Sequence, residues 1–198
     1  MENPSFEDIP RAGGLGFTIP ILGWHDCARI RYPDKSPPDI HPHPEGWRVT
    51  LDAQSGDTYL GLVVRNDDSR EFVSQRLASP LLPGICYEFS VFLVQSEIYM
   101  GMSNGPQTDL NVKFSNPFVT PTKLSIWGGK DVCDFDELLG ETDEITNHDW
   151  QEFTIVFRPE IEMYYFTLEA FYSSSREMPY NGHILLDNCS PITPIECE

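Results

Sequence analysis

Apolar and polar side chains alternate along much of this chain, and this period of two constrains its fold more than any other feature. Every odd position from 87 to 93 is apolar, and Phe153, Ile155 and Phe157 repeat the pattern between residues 151 and 158. Successive side chains of a β-strand point to opposite faces, so such segments are typical of strands with one face in the core. Helical periodicity is scarce by comparison. The sequence therefore predicts a protein built mainly of half-buried strands.

The same signal predicts at least eight strands. Turn-forming clusters such as Asn66-Asp67-Asp68-Ser69 and Tyr180-Asn181-Gly182 separate them. Many strands without intervening helices favour an all-β fold, an antiparallel β-sandwich or jelly roll. A short helical turn is predicted at 134–139. The predicted strands are 58–65, 71–77, 86–94, 110–114, 123–127, 151–158, 163–172 and 182–187.

Length and charge narrow the classes of function. A chain of 198 residues, 40% hydrophobic, can bury a sizeable core, so we expect a single domain over residues 1–198. Its 13 basic and 31 acidic residues give a net charge of -18, which repels nucleic acid and anionic membranes. No stretch approaches the ~18 apolar residues that span a bilayer. We therefore expect no nucleic-acid partner, no membrane insertion and, without heptads, a monomer.

The number and spacing of the cysteines favour a secreted protein but do not determine its compartment. Cys27, Cys86, Cys133, Cys189 and Cys197 show no CxxC spacing, so zinc-ribbon and thioredoxin-like classes lose their main support. Two bridges at most can form in roughly fifteen ways, and a fully reduced state is the alternative. Cys197, close to the C-terminus, is the expected unpaired thiol. Because the N-terminus lacks a basic region followed by an apolar one, either a signal peptide has been removed from an extracellular or cell-surface protein, or the protein is cytosolic.

The segment 23–47 departs from the alternation. It holds five prolines, and proline removes ladder donors, so we expect an irregular surface excursion. Long ordered loops on a rigid scaffold are where binding residues concentrate. This segment also carries aromatic and histidine side chains, which makes it the best candidate for a ligand rim.

Two histidines of that segment suggest a second kind of site. His41 and His43 flank Pro42, with Asp39 and Glu45 nearby. Imidazole and carboxylate groups together could hold a transition metal. The alternative, which we favour at this point, is a solvated loop stiffened by proline.

A series of short motifs occurs in order along nearly the whole chain. The motifs are Asn3-Pro4-Ser5-Phe6-Glu7, Gly23-Trp24, 56–62, 71–75, 83–90, Trp127-Gly128-Gly129, Glu137-Leu138-Leu139, 179–182 and Leu185-Leu186-Asp187-Asn188. Together they resemble the galactose-binding-type jelly rolls of carbohydrate-binding modules, most of all the version found in secreted and cell-surface proteins of Bacteroidetes. The resemblance implies a β-sandwich, but members of this superfold bind many sugars, bind other ligands or are only structural.

The resemblance also implies a structural calcium ion. In related modules an N-terminal Glu and an Asp near the end of the last strand ligate Ca²⁺, which here correspond to Glu7 and Asp187, with Asp57 as a third contributor. Ca²⁺ takes about 6–8 oxygens, which carboxylates and carbonyls of separate loops can supply. The alternative is that these are ordinary solvated or hydrogen-bonded carboxylates.

Sugar binding would depend on aromatic planes and planar polar groups. Pyranose rings pack their C–H faces on Trp and Tyr, while polar side chains replace the water lost from the hydroxyls. A large aromatic in a sandwich is often core instead, and we assign Trp127 and Trp150 to the core. Trp24 and Trp47 could each serve equally well as a ligand platform or as an anchor that packs beneath the loop. The candidate ligand-binding residues are Trp24, Trp47, Arg70, Glu71, Tyr99, Tyr180 and Asn181.

Three classes of function remain. The first is a non-catalytic carbohydrate-binding module that anchors a larger secreted or surface protein to polysaccharide. The second is a structural or adhesion module that binds a protein partner or spaces other domains. A carbohydrate-active enzyme is the third, but the sequence lacks a serine-hydrolase elbow, a zinc-protease helix motif and a phosphate-binding glycine loop. We therefore expect the first class and no enzyme.

Overall fold

Two antiparallel sheets dominate the computed structural model, which describes residues 1–11, 13, 21–35, 37–43, 47–99 and 118–197. The described residues form eleven strands and one four-residue helix, α1 (Ala28–Arg31). The strands are β1 (His25–Asp26), β2 (Asp39–His41), β3 (Tyr59–Val64), β4 (Phe72–Leu81), β5 (Cys86–Gln95), β6 (Lys123–Gly129), β7 (Glu137–Glu141), β8 (Gln151–Phe157), β9 (Met163–Phe171), β10 (Gly182–Asp187) and β11 (Thr193–Ile195).

The strand order confirms the predicted antiparallel β-sandwich. One sheet has the order β1-β4-β9-β6-β7, and the other has the order β11-β5-β10-β3-β2, with β8 paired to β5. Seven of the eight predicted strands are present, and β10 has the predicted bounds. The eighth, at 110–114, lies outside the described residues.

The core lies between the two sheets and follows from the alternation. Leu60 and Leu62 of β3 and Ile126 of β6 are fully buried. Phe89 of β5 meets Phe166 of β9 edge to face, with 4.9 Å between ring centroids. Because successive side chains alternate faces, the intervening residues of β3 and β10 point to the outer side of their sheet, where the candidate site lies.

The helical turn predicted at 134–139 is wrong. Residues 137–141 form strand β7, which pairs with β6. Leu139 points into the core and is 8% exposed, so tertiary packing and ladder hydrogen bonds decide the conformation of this segment over its helical propensity.

The segment 23–47 is also more ordered than its prolines suggest. Its residues 39–41 form an edge strand in which Asp39 pairs with Gly61 of β3. Ile40 is fully buried in the core. Prolines 33, 37, 38 and 42 all lie outside β2, so they bound the strand without interrupting its ladder. The prediction of an irregular surface excursion therefore fails for this part of the segment.

Two disulfides tie distant parts of the chain together. Cys27 bonds to Cys133 and Cys86 bonds to Cys197, at sequence separations of 106 and 111 residues. Cys189, and not Cys197, is the free cysteine. The expectation for Cys197 is wrong because β11 pairs with the start of β5 and brings the C-terminus to Cys86.

The free thiol should be inert in the folded protein. Cys189 is 3% exposed, and burial raises the pKa of its thiol well above the ordinary range. Because the thiolate is the reactive form, iodoacetamide should leave native protein unlabelled and add one label in guanidinium without reductant. Mass spectrometry measures the labels, and Cys189→Ser should take none in either condition. Rapid labelling of the native protein would contradict this assignment.

Candidate ligand-binding site

The outer face of the sheet that contains β3, β5 and β10 is covered by a second layer of side chains. Tyr59 and Val63 of β3 and Leu185 of β10 point to this face. Tyr99 and Phe118 pack over them, with 5.3 Å between their ring centroids. The loops after β2, β5 and β7 therefore fold back onto the sheet and build a surface above it.

An open cleft of about 330 Å³ lies on this surface. Three separate segments line it, 48–51, 95–98 and 148–149, with Leu185 beneath. Its polar residues Arg48, Glu97, His148 and Asp149 are exposed. The cleft thus combines a guanidinium, carboxylates and an imidazole on an apolar floor.

Two tryptophans adjoin the lining segments. Trp47 directly precedes Arg48, and Trp150 directly follows Asp149; both are half-buried. Each indole N–H is anchored at 2.9 Å, Trp47 donating to Asp39 Oδ1 and Trp150 to the carbonyl of Asp52. Anchored rings with part of their surface exposed offer rigid stacking planes. Trp150 is thus less buried than the core position predicted for it, and so is Trp127, which is also half-buried.

Trp24, predicted as a candidate platform, is a packing anchor instead. It is 4% exposed and belongs to the central core, 5.1 Å from Phe6 between ring centroids. Its indole donates to the carbonyl of Asn3. The ring is therefore not accessible to a sugar, because the N-terminal segment packs over it.

Two further candidates, Glu71 and Tyr99, lie beneath the surface. Tyr99 is 3% exposed and its hydroxyl donates to Asp39 Oδ2 at 2.7 Å. Glu71 is fully buried, forms an ion pair with Arg65 and accepts the amide of Val63 at 3.1 Å. Burial raises the pKa of Glu71, while the Arg65 guanidinium opposes that shift. Neither group is positioned to contact a ligand at the surface, so these two predictions are wrong on accessibility.

Arg70, Tyr180 and Asn181 come together around a pair of turns, but none lines the cleft. The Arg70 guanidinium contacts Glu169 at 3.0 Å and Asp68 at 2.8 Å. The Tyr180 hydroxyl donates to the carbonyl of Pro121, and Asn181 Oδ1 accepts the amide of Asn66 at 2.8 Å. Their polar groups thus hold the turns together, and their role in ligand binding stays a prediction.

The predicted calcium ligands lie around one loop. Asp187 is fully buried and its Oδ2 accepts the amides of Gln54 and Ser55 at 2.8 and 2.9 Å. Glu7 accepts the amide of Asp57, a contact that Gly56 permits because a Cβ there would lie 1.9 Å from Glu7 Oε1. Burial, with a smaller contribution from the Glu7 charge, raises the pKa of Asp187 to about 6.

The ligand atoms of Glu7, Asp57 and Asp187 do not all lie within 4.8 Å of one another. Asp57 is exposed, and within the described residues the one His, Cys, Asp and Glu group whose ligand atoms all lie within 4.8 Å of one another is Asp39, His41 and His183. The termini do meet, since the amide of Cys189 donates to the carbonyl of Pro4 at 2.9 Å.

Sequence reasoning missed the residues of the cleft itself. Gln95 ends β5, and Arg48, Glu97, His148 and Asp149 come from loops that are remote in sequence. The one local signal is that two of the lining segments adjoin tryptophans, Trp47 and Trp150.

No protein-family model matches this sequence, and no curated protein matches it either. Solved structures of similar shape include the CBM22-1 xylan-binding domain of Paenibacillus barcinonensis, 13% identical, with a TM-score of 0.49 over 95% of this chain and 99% of that one. TmCBM61, solved with β-1,4-galactotriose, is 12% identical, with a TM-score of 0.43 over 98% and 97% of the two chains. The K3 adhesin domain of Lys-gingipain from Porphyromonas gingivalis is 11% identical, with a TM-score of 0.41 over 73% and 78%.

Several structures similar in shape are therefore carbohydrate-binding modules with a β-sandwich fold. Likeness this distant does not determine what this chain binds. In the described part of the chain, no helix has the length and hydropathy to span a bilayer.

Proposed function

We propose that this chain is a non-catalytic carbohydrate-binding module that holds a polysaccharide in the cleft bounded by Arg48, Glu97 and His148. The observation that carries the proposal is the cleft itself, an open polar trough whose lining segments continue along the chain into two half-buried tryptophans, Trp47 and Trp150. Sugar hydroxyls need planar polar partners, and sugar C–H faces need aromatic planes. The cleft and its neighbouring rings offer both on one surface.

The distribution of carboxylates supports binding without catalysis. A glycosidase needs an acid whose pKa is raised beside the scissile bond. Burial raises the pKa of Asp39 and of Glu71, but both side chains lie beneath the surface. The cleft carboxylates, Glu97 and Asp149, are exposed to solvent. This arrangement suits recognition of hydroxyl groups better than proton transfer.

A glycan array followed by affinity electrophoresis against plant, algal and bacterial polysaccharides tests the proposal. We expect retardation by at least one neutral polysaccharide in calcium-replete buffer. A complete absence of binding would reject the carbohydrate function and favour the alternative, a structural or adhesion module with a protein partner.

We propose an extracellular or cell-surface location for the protein. Two disulfides that close loops of more than 100 residues suit an oxidising compartment. In this proposal the chain is a monomeric single domain of a larger multidomain protein. The proposal of a Bacteroidetes source rests on the sequence resemblance alone. Free-thiol counting on protein purified from its native compartment checks the redox state.

We also propose that Ca²⁺ binds between Glu7 and Asp187 as a structural ion. The residues fit, because both carboxylates accept amides of one loop, Asp187 those of Gln54 and Ser55 and Glu7 that of Asp57. Backbone carbonyls of the surrounding segments would complete an oxygen shell. Asp57 would contribute only after a movement of its exposed side chain.

Calcium should raise the melting temperature of chelator-treated protein. At a concentration about 100 times the Kd, ligand binding stabilises by about 2.7 kcal/mol, which corresponds to roughly 5–10 °C for a chain of this length. Differential scanning calorimetry measures the shift. Asp187→Asn should abolish it, whereas Asp34→Asn, an exposed control, should retain it. An unchanged melting temperature for the wild-type protein would remove the site and leave the cleft proposal standing.

A further inference from the structure

Three buried side chains on the outer face of the β3 and β10 sheet form a cluster that the cleft does not use. Asp39 and His41 lie on β2 and His183 lies on β10, and their exposed fractions are 1%, 0% and 0%. Strand β3 runs between β2 and β10 and brings them together. One ligand atom of each residue lies within 4.8 Å of the other two.

The two imidazoles have unused hydrogen-bonding capacity. All four ring nitrogens of His41 and His183 are buried and lack a hydrogen-bond partner. Buried polar atoms in native proteins are nearly always satisfied by protein, water or a bound ion. Four such nitrogens on two imidazole rings whose centroids lie 5.4 Å apart therefore indicate a missing binding partner.

Gly61 keeps the space between the imidazoles open. The position where a Cβ of residue 61 would stand lies 2.5 Å from His183 Nε2 and 2.7 Å from His41 Nε2. Both Nε2 atoms thus point at the same place on β3. Any residue other than glycine would fill that place with a carbon atom.

The Asp39 carboxylate is held in position by three donors. Tyr99 donates its hydroxyl to Oδ2, while Trp47 Nε1 and the amide of Gly13 donate to Oδ1. A carboxylate has about four acceptor sites, so one remains. Ligands of metal ions are typically fixed by such outer hydrogen bonds.

We propose that Asp39, His41 and His183 bind a divalent first-row transition metal ion, for which Zn²⁺ is the probe. Two imidazoles and one carboxylate are a zinc ligand set, and their ligand atoms already lie within 4.8 Å of one another. A hard cation such as Ca²⁺ prefers oxygen ligands alone. The fourth position would go to a water molecule.

Charge favours this ion. The two acidic groups of Asp39 and Glu71 outnumber the single guanidinium of Arg65 beside them, so a bound cation would balance the charge of the cluster. His43, the sequence-predicted partner of His41, is not one of the three residues of this group, and Glu45 lies outside the described residues.

Calorimetric titration of tag-free, chelator-treated protein with Zn²⁺, in buffer saturated with Ca²⁺, tests the site. We expect one equivalent to bind, with the affinity reduced at least ~100-fold in His41→Ala and in His183→Ala, and roughly tenfold in Tyr99→Phe. His25→Ala removes an exposed histidine and should bind like the wild type.

Binding that survives both alanine substitutions, or no stoichiometric binding by the wild type, would overturn the proposal. Circular dichroism shows whether the variants fold. If the variants do not fold, Co²⁺ is added to the wild-type protein instead. Co²⁺ in a low-symmetry site with nitrogen and oxygen ligands absorbs strongly in the visible range, and Zn²⁺ should abolish this absorption by displacing the Co²⁺. Absence of that absorption would equally reject the site.

Discussion

The double substitution Arg48→Ala with Glu97→Ala is expected to weaken polysaccharide binding by roughly 10- to 100-fold. Both side chains are exposed and line the cleft, where each would exchange hydrogen bonds with water for hydrogen bonds with sugar hydroxyls. One net hydrogen bond contributes about 0.5–1.5 kcal/mol, and 1.4 kcal/mol corresponds to a tenfold change in affinity. Isothermal titration calorimetry with the polysaccharide found by the array measures the loss.

The control for this variant removes the same two residue types elsewhere. Arg76 and Glu177 are exposed and outside the cleft, so the Arg76→Ala, Glu177→Ala variant has an equal net charge and should bind normally. Melting temperatures of both variants should stay near that of the wild type, because exposed substitutions change stability little. Equal affinities for the two variants would place the glycan outside the cleft.

The substitution Glu71→Ala is expected to lower the free energy of unfolding by about 3–5 kcal/mol. Glu71 is fully buried, faces the Arg65 guanidinium and accepts the amide of Val63. Its removal takes away the carboxylate beside a buried cation and leaves a cavity. Its position near a predicted turn made this residue a candidate for the ligand site, whereas the structure buries it beside Arg65.

Urea denaturation followed by fluorescence measures that loss. Asp68→Asn is the matched comparison, since Asp68 is a 72% exposed partner of Arg70 and its pair should contribute about 0–1 kcal/mol. A loss below about 1 kcal/mol for Glu71→Ala would contradict the buried ion pair.

Strands β5 and β8 were predictable because their alternation follows from one face packing in the core. All six residues of β10 are buried, and its bounds were still predicted correctly because a turn-forming cluster precedes it. Strand β2 was missed because it has only three residues and prolines flank it. Strand β7 was missed because the contact of Leu139 with the core is not visible locally.

The buried histidine cluster and the cleft were less predictable, because the order of the strands in the sheet is what brings their residues together. The sequence paired His41 with His43, two residues away, whereas β3 sets His41 beside His183. The cleft likewise joins segments near residues 48, 97 and 148. A single sequence shows which side chains adjoin turns, but not which turns share a surface.

Chemical-shift mapping of the glycan-binding surface on the protein tests most directly the claim that the cleft binds polysaccharide. In a titration of ¹⁵N-labelled protein with a soluble oligosaccharide of the polysaccharide that binds, we predict the largest amide shifts in residues 48–51, 95–98 and 148–150. The indole N–H signals of Trp47 and Trp150 should move with them. Shifts concentrated instead around Trp127, on the outer face of the other sheet, would contradict the account.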